Sequence, residues 1–99
     1  MQINTKGIAD ISLIEIGDDS VIGGDAVILG HLAEHGKIKM RRTVIGKKVT
    51  IGLGSVIMPG CQIGDGSLIA ARSVLSKNTV VSERSVFAGT PARFVKTFE

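Results

Sequence analysis

The sequence predicts an all-β fold in which short parallel strands wind into a parallel β-helix of about five turns. A large aliphatic residue recurs at every sixth position from residue 45 to residue 69 without a gap. In each six-residue unit the fifth position is small or β-branched, and the third and fourth collect turn-forming and charged residues. Helices repeat every three or four residues and half-buried strands every two, so this period indicates a short strand followed by a turn.

The aliphatic column extends toward both ends of the chain. Three units would close one triangular turn of about 18 residues, with the column inside and the small residues in crowded corners. Asp, Asn and Gly favour the positive-φ conformations that sharp corners need. The column comprises Ile16, Ile22, Ile28, Ile45, Ile51, Ile57, Ile63, Ile69, Leu75, Val81 and Phe87.

The sixth position of each unit is expected to face outward, and it is apolar where a monomer would carry polar residues. A stack this short also buries limited apolar area and has open ends. We therefore expect self-association through an outward column of Val21, Val27, Val56, Leu68, Val74, Val80 and Val86.

The register of the repeat slips once, between residues 28 and 45. Both histidines, His31 and His35, lie in this stretch. Residues 30–37 are predicted to form a loop, followed by a returning strand. Because binding and catalytic residues are often placed on loops that a rigid scaffold holds, a functional role is expected here.

The composition fits one soluble domain over residues 1–99, with a net charge of +3 and one cysteine. No basic segment precedes a long apolar run and no stretch approaches about eighteen apolar residues, so we expect no membrane segment and a cytoplasmic location. The basic residues lack interleaved aromatic residues, which argues against nucleic-acid binding. Cys61 falls in the small-residue column, which favours a buried packing role over a nucleophile or a disulfide partner.

Two features resemble a known family. The repeated Ile-Gly-x-x-Ser-Val pattern resembles the hexapeptide repeat of the left-handed β-helix acyltransferases. Residues 87–96 resemble the Gly-Asn-Pro-Ala-Arg segment that closes the xenobiotic and maltose acetyltransferase types. The resemblance implies a homotrimer and a left-handed coil, a hand that the period alone cannot give because parallel crossovers are almost always right-handed.

The resemblance further implies an O- or N-acyltransferase that uses acetyl-CoA or another acyl-CoA as cosubstrate, a small-molecule acceptor and no metal. A histidine base at a subunit interface would take the acceptor proton while the acceptor attacks the thioester directly, and a neutral imidazole suits that role near pH 7. His31 matches the position of this base, although the family has Asn-His or Thr-His where this sequence has Gly30-His31. His35 is the alternative.

Coenzyme A needs cations for its phosphates and backbone hydrogen-bonding groups along its amide-bearing arm. Family counterparts of residues 54–55 and 71–73 line a groove between neighbouring subunits, and two further cations could meet the phosphates. Each residue also has a structural interpretation, as corner packing for the serines and as solvated charge for the exposed cations. The candidates for cofactor binding are Gly54, Ser55, Ala71, Arg72, Ser73, Lys77 and Arg93.

Two other functions are compatible with the sequence. A γ-type carbonic anhydrase shares the fold but binds zinc through three histidines, and this chain has two. A noncatalytic trimeric module, or a fragment of a larger transferase, is the other, because residues 1–15 are too short to replace the N-terminal coils that help to form the acceptor pocket in the resembled family.

The C-terminal segment is predicted to be a short helical cap over about residues 90–99. Thr90 would be the N-cap and Pro91 the first helical residue. Phe94 and Phe98 are spaced to share one helix face, and Phe94 would pack on the final coil.

Overall fold

The chain folds into strands. A computed structural model describes residues 2–3, 7–8, 14–34 and 36–98, and within these ranges there are sixteen strands and no helix. The described residues therefore contain no helix that is long and apolar enough to cross a membrane. The strands are β1 (Gln2–Ile3), β2 (Gly7–Ile8), β3 (Ile14–Ile16), β4 (Val21–Ile22), β5 (Val27–Ile28), β6 (His31–Glu34), β7 (Lys37–Met40), β8 (Thr43–Ile45), β9 (Thr50–Ile51), β10 (Val56–Ile57), β11 (Gln62–Ile63), β12 (Leu68–Ile69), β13 (Val74–Leu75), β14 (Val80–Val81), β15 (Ser85–Gly89) and β16 (Ala92–Thr97).

Successive strands of the coil join three sheets in turn, and these sheets form the faces of a triangular prism. Sheet 1 has the order β1-β4-β9-β12-β15-β16, sheet 2 the order β13-β10-β5-β2, and sheet 3 the order β14-β11-β8-β3. All neighbours in these sheets are parallel except β15 and β16. The described strands make four three-stranded turns and the first strand of a fifth. The predicted parallel β-helix is confirmed.

The contacts between successive turns give the length of one turn. The N–H of Ser73 bonds to Ser55 Oγ directly below it, across a separation of 18 residues, and the strand pairs of Val56 with Val74 and of Thr50 with Leu68 keep the same spacing. The equivalent bond from the N–H of Val49 to Ser20 Oγ spans 29 residues, so this turn carries an insertion. The insertion lies between β5 and β8 and contains the hairpin of β6 and β7. The slip in the sequence repeat is therefore an insertion into an otherwise regular coil.

The predicted aliphatic column forms the core. Its members in the middle turns are buried, while Ile16 and Phe87 at the two ends of the column are partly buried against them. The outward column is less uniform than predicted, because Val86 is buried within the chain and Val80 is 69% exposed. The fully buried large aliphatic side chains are Ile22, Ile28, Ile45, Ile51, Ile57, Ile69, Leu75, Val49 and Val81.

The small residues of the fifth position do more than fit a crowded corner. Ser67 Oγ donates to the carbonyl of Ser82 in the next turn at 2.7 Å and accepts from the N–H of Ser85 at 3.2 Å. Ser55 repeats the pattern with Ala70 at 2.8 Å, and Ser20 does so with Gly46 at 2.8 Å. Buried backbone groups need such partners. The serine column thus bonds each turn to the next.

The C-terminal segment is a strand, so the predicted helical cap is wrong. Thr90 and Pro91 form a turn, and β16 returns antiparallel along β15, pairing Gly89 with Ala92 and Phe87 with Phe94. The Thr90-Pro91 peptide bond is cis. A helix would satisfy only its own backbone, whereas β15 otherwise leaves an open sheet edge of unpaired N–H and C=O groups. Backbone hydrogen bonds to that edge therefore stabilise a strand more than the local sequence stabilises a helix.

Candidate functional site

The hairpin of β6 and β7 projects from the corner between sheet 2 and sheet 3. The chain leaves the coil after Leu29, whose N–H donates to the carbonyl of Ile57 at 3.0 Å, and re-enters it at β8. At the base of the hairpin the N–H of Arg41 donates to the carbonyl of Gly30 at 3.0 Å. The predicted returning strand is confirmed as β7, and β6 occupies much of the stretch that was predicted to be loop.

His31 is the first residue of the hairpin and pairs with Met40, the last residue of β7. It therefore lies at the base of the projection, next to the coil. Ala33 pairs with Ile38 in the same ladder. His35 lies outside the described residues.

A second group of candidates meets at the corner between sheets 1 and 2, which we call the 1–2 corner (residues 23–26, 52–55 and 70–73). Arg72 lies one turn beyond Gly54, and its N–H donates to the carbonyl of Leu53 at 2.8 Å. Gly54 and Arg72 both have positive φ, at 70° and 58°. A Cβ on Gly54 would lie 3.5 Å from Cγ of Arg72, an ordinary van der Waals contact, so the positive φ and not lack of space favours glycine here.

Five of the predicted cofactor residues therefore share this corner, but not in equivalent environments. Ser55 and Ser73 are buried, and their hydroxyl groups are bonded to the backbone of the corner: Ser55 Oγ donates to the carbonyl of Ala70, and Ser73 Oγ accepts from the N–H of Gly89 at 3.2 Å. Ala71 and Arg72 are exposed. A ligand at this corner can contact the exposed turn residues without disturbing the coil, whereas reaching either hydroxyl would break a structural hydrogen bond.

The two remaining cofactor candidates lie elsewhere. Lys77 is exposed at the corner between sheets 2 and 3, which we call the 2–3 corner (residues 29–42, 58–61 and 76–79), the same corner that carries the hairpin. Arg93 is exposed on β16 and pairs with Ala88. β13 runs from the turn of Arg72 to the turn of Lys77, so these two cations stand at opposite borders of sheet 2.

The outward face of sheet 2 is the apolar surface between these borders. Val27, Val56 and Val74 are aligned in register on it, each partly exposed. Leu53, at the 1–2 corner, is 50% exposed and extends the apolar surface. Within the described residues the outward faces of sheets 1 and 3 are interrupted by exposed polar residues, Thr50 and Gln62. Sheet 2 is therefore the face best suited to pack against another apolar surface.

Cys61 is buried, as predicted, and its thiol donates to the carbonyl of Ser76 at 3.1 Å. Burial raises the pKa of this thiol, while hydrogen bonds with the backbone of Thr79 and Met58 lower it. A thiol in this environment packs the corner and is not activated as a nucleophile. Among the described side chains, no three of His, Cys, Asp or Glu are grouped closely enough to hold a metal ion.

Sequence reasoning did not single out Thr43. Its side chain is fully buried where the hairpin rejoins the coil, and its Oγ1 donates to the carbonyl of Leu29 at 2.9 Å. Thr43 lies two residues before Ile45 and so occupies the small-residue position of an incomplete unit. Counting the column one unit back from Ile45 would have found it.

A family model described as bacterial transferase hexapeptide (six repeats) matches residues 42–77. No curated protein sequence matches the chain significantly. Among solved structures, a galactoside acetyltransferase in complex with coenzyme A is 33% identical, with a TM-score of 0.80, over 91% of this chain and 48% of that chain. A maltose O-acetyltransferase from Clostridium difficile 630 is 26% identical, with a TM-score of 0.75, over 99% of this chain and 67% of that chain.

AntD, an N-acyltransferase from Bacillus cereus, is similar in fold. A variant of it in complex with dTDP and coenzyme A is 19% identical, with a TM-score of 0.86, over 99% of this chain and 59% of that chain. The chain thus spans about half the length of AntD and of the galactoside acetyltransferase. The fold that it shares with these proteins is the left-handed parallel β-helix.

Proposed function

Because the chain is a hexapeptide-repeat protein similar to the left-handed β-helix acyltransferases, we propose that it transfers an acyl group from acyl-CoA to a hydroxyl or amine of a small-molecule acceptor. The observation that carries the proposal is the arrangement around sheet 2. The hairpin that begins at His31 rises at one border of this face, and the exposed turn of Ala71 and Arg72 forms the other. An acyl donor held along the 1–2 corner would approach His31 across the apolar outward face of sheet 2.

In the proposed reaction His31 acts as a general base. As the acceptor oxygen or nitrogen attacks the thioester carbonyl, the imidazole takes its proton, and a backbone N–H stabilises the oxyanion. The tetrahedral intermediate then collapses: the C–S bond breaks, coenzyme A leaves as a thiolate, and the imidazolium returns the proton to the sulfur. The new ester or amide is formed without a covalent enzyme intermediate.

The proposal places the reaction between subunits of a homotrimer. The outward face of sheet 2 carries three stacked valines, and exposed apolar surface of this kind favours association. The described residues of one subunit offer the two borders of this face but no opposing wall. A second subunit packed nearby would convert the open face into a groove that excludes water. A cytoplasmic location belongs to the same proposal, because the cosubstrate is an intracellular metabolite.

Acyl-CoA would lie with its amide-bearing arm along the 1–2 corner. The partly exposed Gly54 and the exposed Ala71 and Arg72 offer backbone groups and one cation there. The buried hydroxyl of Ser55 would support this turn from the preceding one, and that of Ser73 bonds to Gly89 in the following one. Lys77 and Arg93 are the further cations proposed for the phosphates.

Titration calorimetry with acetyl-CoA tests the proposal. We expect binding by the wild-type protein, and a dissociation constant about tenfold higher for Arg72→Gln, since a hydrogen bond to a charged group contributes about 1.5–3 kcal/mol. Arg84→Gln is the matched control, because Arg84 is also exposed with positive φ, at 54°, but lies at the corner between sheets 3 and 1. Equal weakening by both substitutions would contradict the assignment of the 1–2 corner.

A noncatalytic trimeric module is the second candidate. It is favoured by the aligned outward valines of sheet 2, which suit association between subunits without requiring any catalytic role. A stable trimer that binds no acetyl-CoA would support the module. Acetyl transfer to a galactoside or to maltose, the acceptors named for two similar proteins, would exclude it.

A further inference from the structure

The hydroxyl group of Thr43 joins three backbone segments at the base of the hairpin. Its Oγ1 donates to the carbonyl of Leu29, the residue at which the chain leaves the coil, at 2.9 Å. The same oxygen accepts from the N–H of Gly60 in the next turn at 3.1 Å. Thr43 itself is the residue at which the chain re-enters the coil, and its side chain is 0% exposed. One buried hydroxyl therefore fixes both ends of the insertion to each other and to the following turn.

This pattern differs from that of the serine column. Ser20, Ser55 and Ser67 each donate forward to a carbonyl in the following turn. Thr43 donates back within its own turn, across a separation of 14 residues. Thr79 makes the same backward bond to the carbonyl of Ser76, at 2.7 Å, at a corner that has no insertion. The bond of Thr43 thus corresponds to that of Thr79, with the hairpin inserted between the two bonded residues.

The two hydrogen bonds of Thr43 Oγ1, which we call the clamp, lie close to His31 in the chain. A second hydrogen bond, from the N–H of Arg41 to the carbonyl of Gly30, joins the two strands at the foot of the hairpin. His31, the proposed general base, follows Gly30 directly. We propose that Thr43 is a positioning residue that holds the base of the hairpin, and with it the backbone of His31, at a fixed place beside sheet 2. The catalytic part of this inference rests on the proposed function. Displacement of a reacting group by about 1 Å can lower a rate by about 100-fold, so such a clamp matters for catalysis.

The test uses four variants of the intact protein. Thr43→Val keeps the shape and removes the hydroxyl, and Thr43→Ser keeps the hydroxyl. Thr43→Cys replaces it with a weaker donor that the fold accepts at the equivalent position of Cys61. Ser67→Ala is the matched control, because it removes a buried hydroxyl of the same column at a corner without a hairpin.

Two readouts are measured on each variant. The first is amide hydrogen exchange, with the N–H of Arg41 reporting on the hairpin and the N–H of Gly52, bonded to the carbonyl of Ile69, reporting on the coil. The second is the kinetics of acetyl transfer from acetyl-CoA to a galactoside. For Thr43→Val we expect the N–H of Arg41 to exchange at least about tenfold faster than in the wild type. Exchange of the N–H of Gly52 should change little. We expect kcat to fall by about 10- to 100-fold while the affinity for acetyl-CoA is retained.

Thr43→Ser should restore both readouts, Thr43→Cys should lie between them, and Ser67→Ala should leave the ratio of hairpin to coil exchange unchanged. The clamp is refuted if neither Thr43→Val nor Thr43→Cys accelerates hydrogen exchange of the hairpin relative to the coil. It is also refuted if Ser67→Ala accelerates hairpin exchange as much as Thr43→Val does. If the wild type binds no acetyl-CoA and transfers no acetyl group, the proposed function fails, and hydrogen exchange still decides whether Thr43 holds the hairpin. A loosened hairpin with unchanged kcat would overturn the positioning role alone.

Discussion

Phe94 packs edge-on against Phe87, with ring centroids 6.1 Å apart and ring planes inclined by 80°. Phe87 ends the aliphatic column on β15, and Phe94 is its partner on the antiparallel strand β16. The two rings therefore cover the last turn of the β-helix, where a further turn would otherwise shield the core. Phe94 remains 56% exposed, so the cover is partial.

Phe94→Ala is expected to lower the free energy of unfolding by about 1 kcal/mol, the contribution typical of an edge-to-face aromatic pair with limited burial. Thermal or urea unfolding measures it. Phe98→Ala serves as the control, because Phe98 is exposed on the same segment, and it should cost less. A loss of about 3–5 kcal/mol for Phe94→Ala, the cost of removing a fully buried ring, would contradict the partial cover.

Ser67→Ala tests the serine column. The substitution deprives the carbonyl of Ser82 and the N–H of Ser85 of a partner in a buried corner, which should cost about 1–3 kcal/mol of stability. Ser82→Ala is the matched control, since the side chain of Ser82 is exposed while its backbone carbonyl keeps the same bond. Equal stability of the two variants would show that the buried hydroxyl is dispensable.

Val56→Lys tests the proposed subunit contact. Val56 lies between Val27 and Val74 on the outward face of sheet 2, and a charge placed there against a neighbouring chain should weaken the oligomer. Sedimentation velocity measures the change. Val80→Lys carries the same substitution to the exposed face of sheet 3 and should leave the assembly intact. A wild-type protein that is monomeric at micromolar concentration would refute the trimer and the shared site together.

The period of six was sufficient to predict the interior column, the corners and the parallel stacking, because each follows from the position of a residue within a unit. It also predicted that Gly54 and Ser55 lie beside Arg72 and Ser73, since the members of each pair are separated by the length of one turn. Lys77 falls at the next corner for the same reason, and only the structure shows that this is the corner of the hairpin. Position within the repeat therefore predicted which of the candidate residues are neighbours.

The ends of the regular coil were harder to predict, because long-range pairing decides them. Thr90 and Pro91 carry a local helix-start signal, but the unpaired edge of β15 offers more backbone hydrogen bonds to a strand than to a helix. The same holds for the predicted loop, where β6 gains its partners from β7. The role of the serine hydroxyl groups was also missed, because small size alone accounts for their position in the sequence.

His31→Ala is the most direct test of the proposed chemistry. Without the imidazole of the proposed base the acceptor keeps its proton, so kcat for the proposed acetyl transfer should fall by about 100- to 10,000-fold, with the affinity for acetyl-CoA unchanged. Initial rates and calorimetry measure the two quantities. His35→Ala is the control for a general effect of altering this stretch, and it should retain activity if His31 is the base. Equal activity of His31→Ala and the wild type would exclude the assignment, and loss of activity in His35→Ala alone would transfer the role to the second histidine.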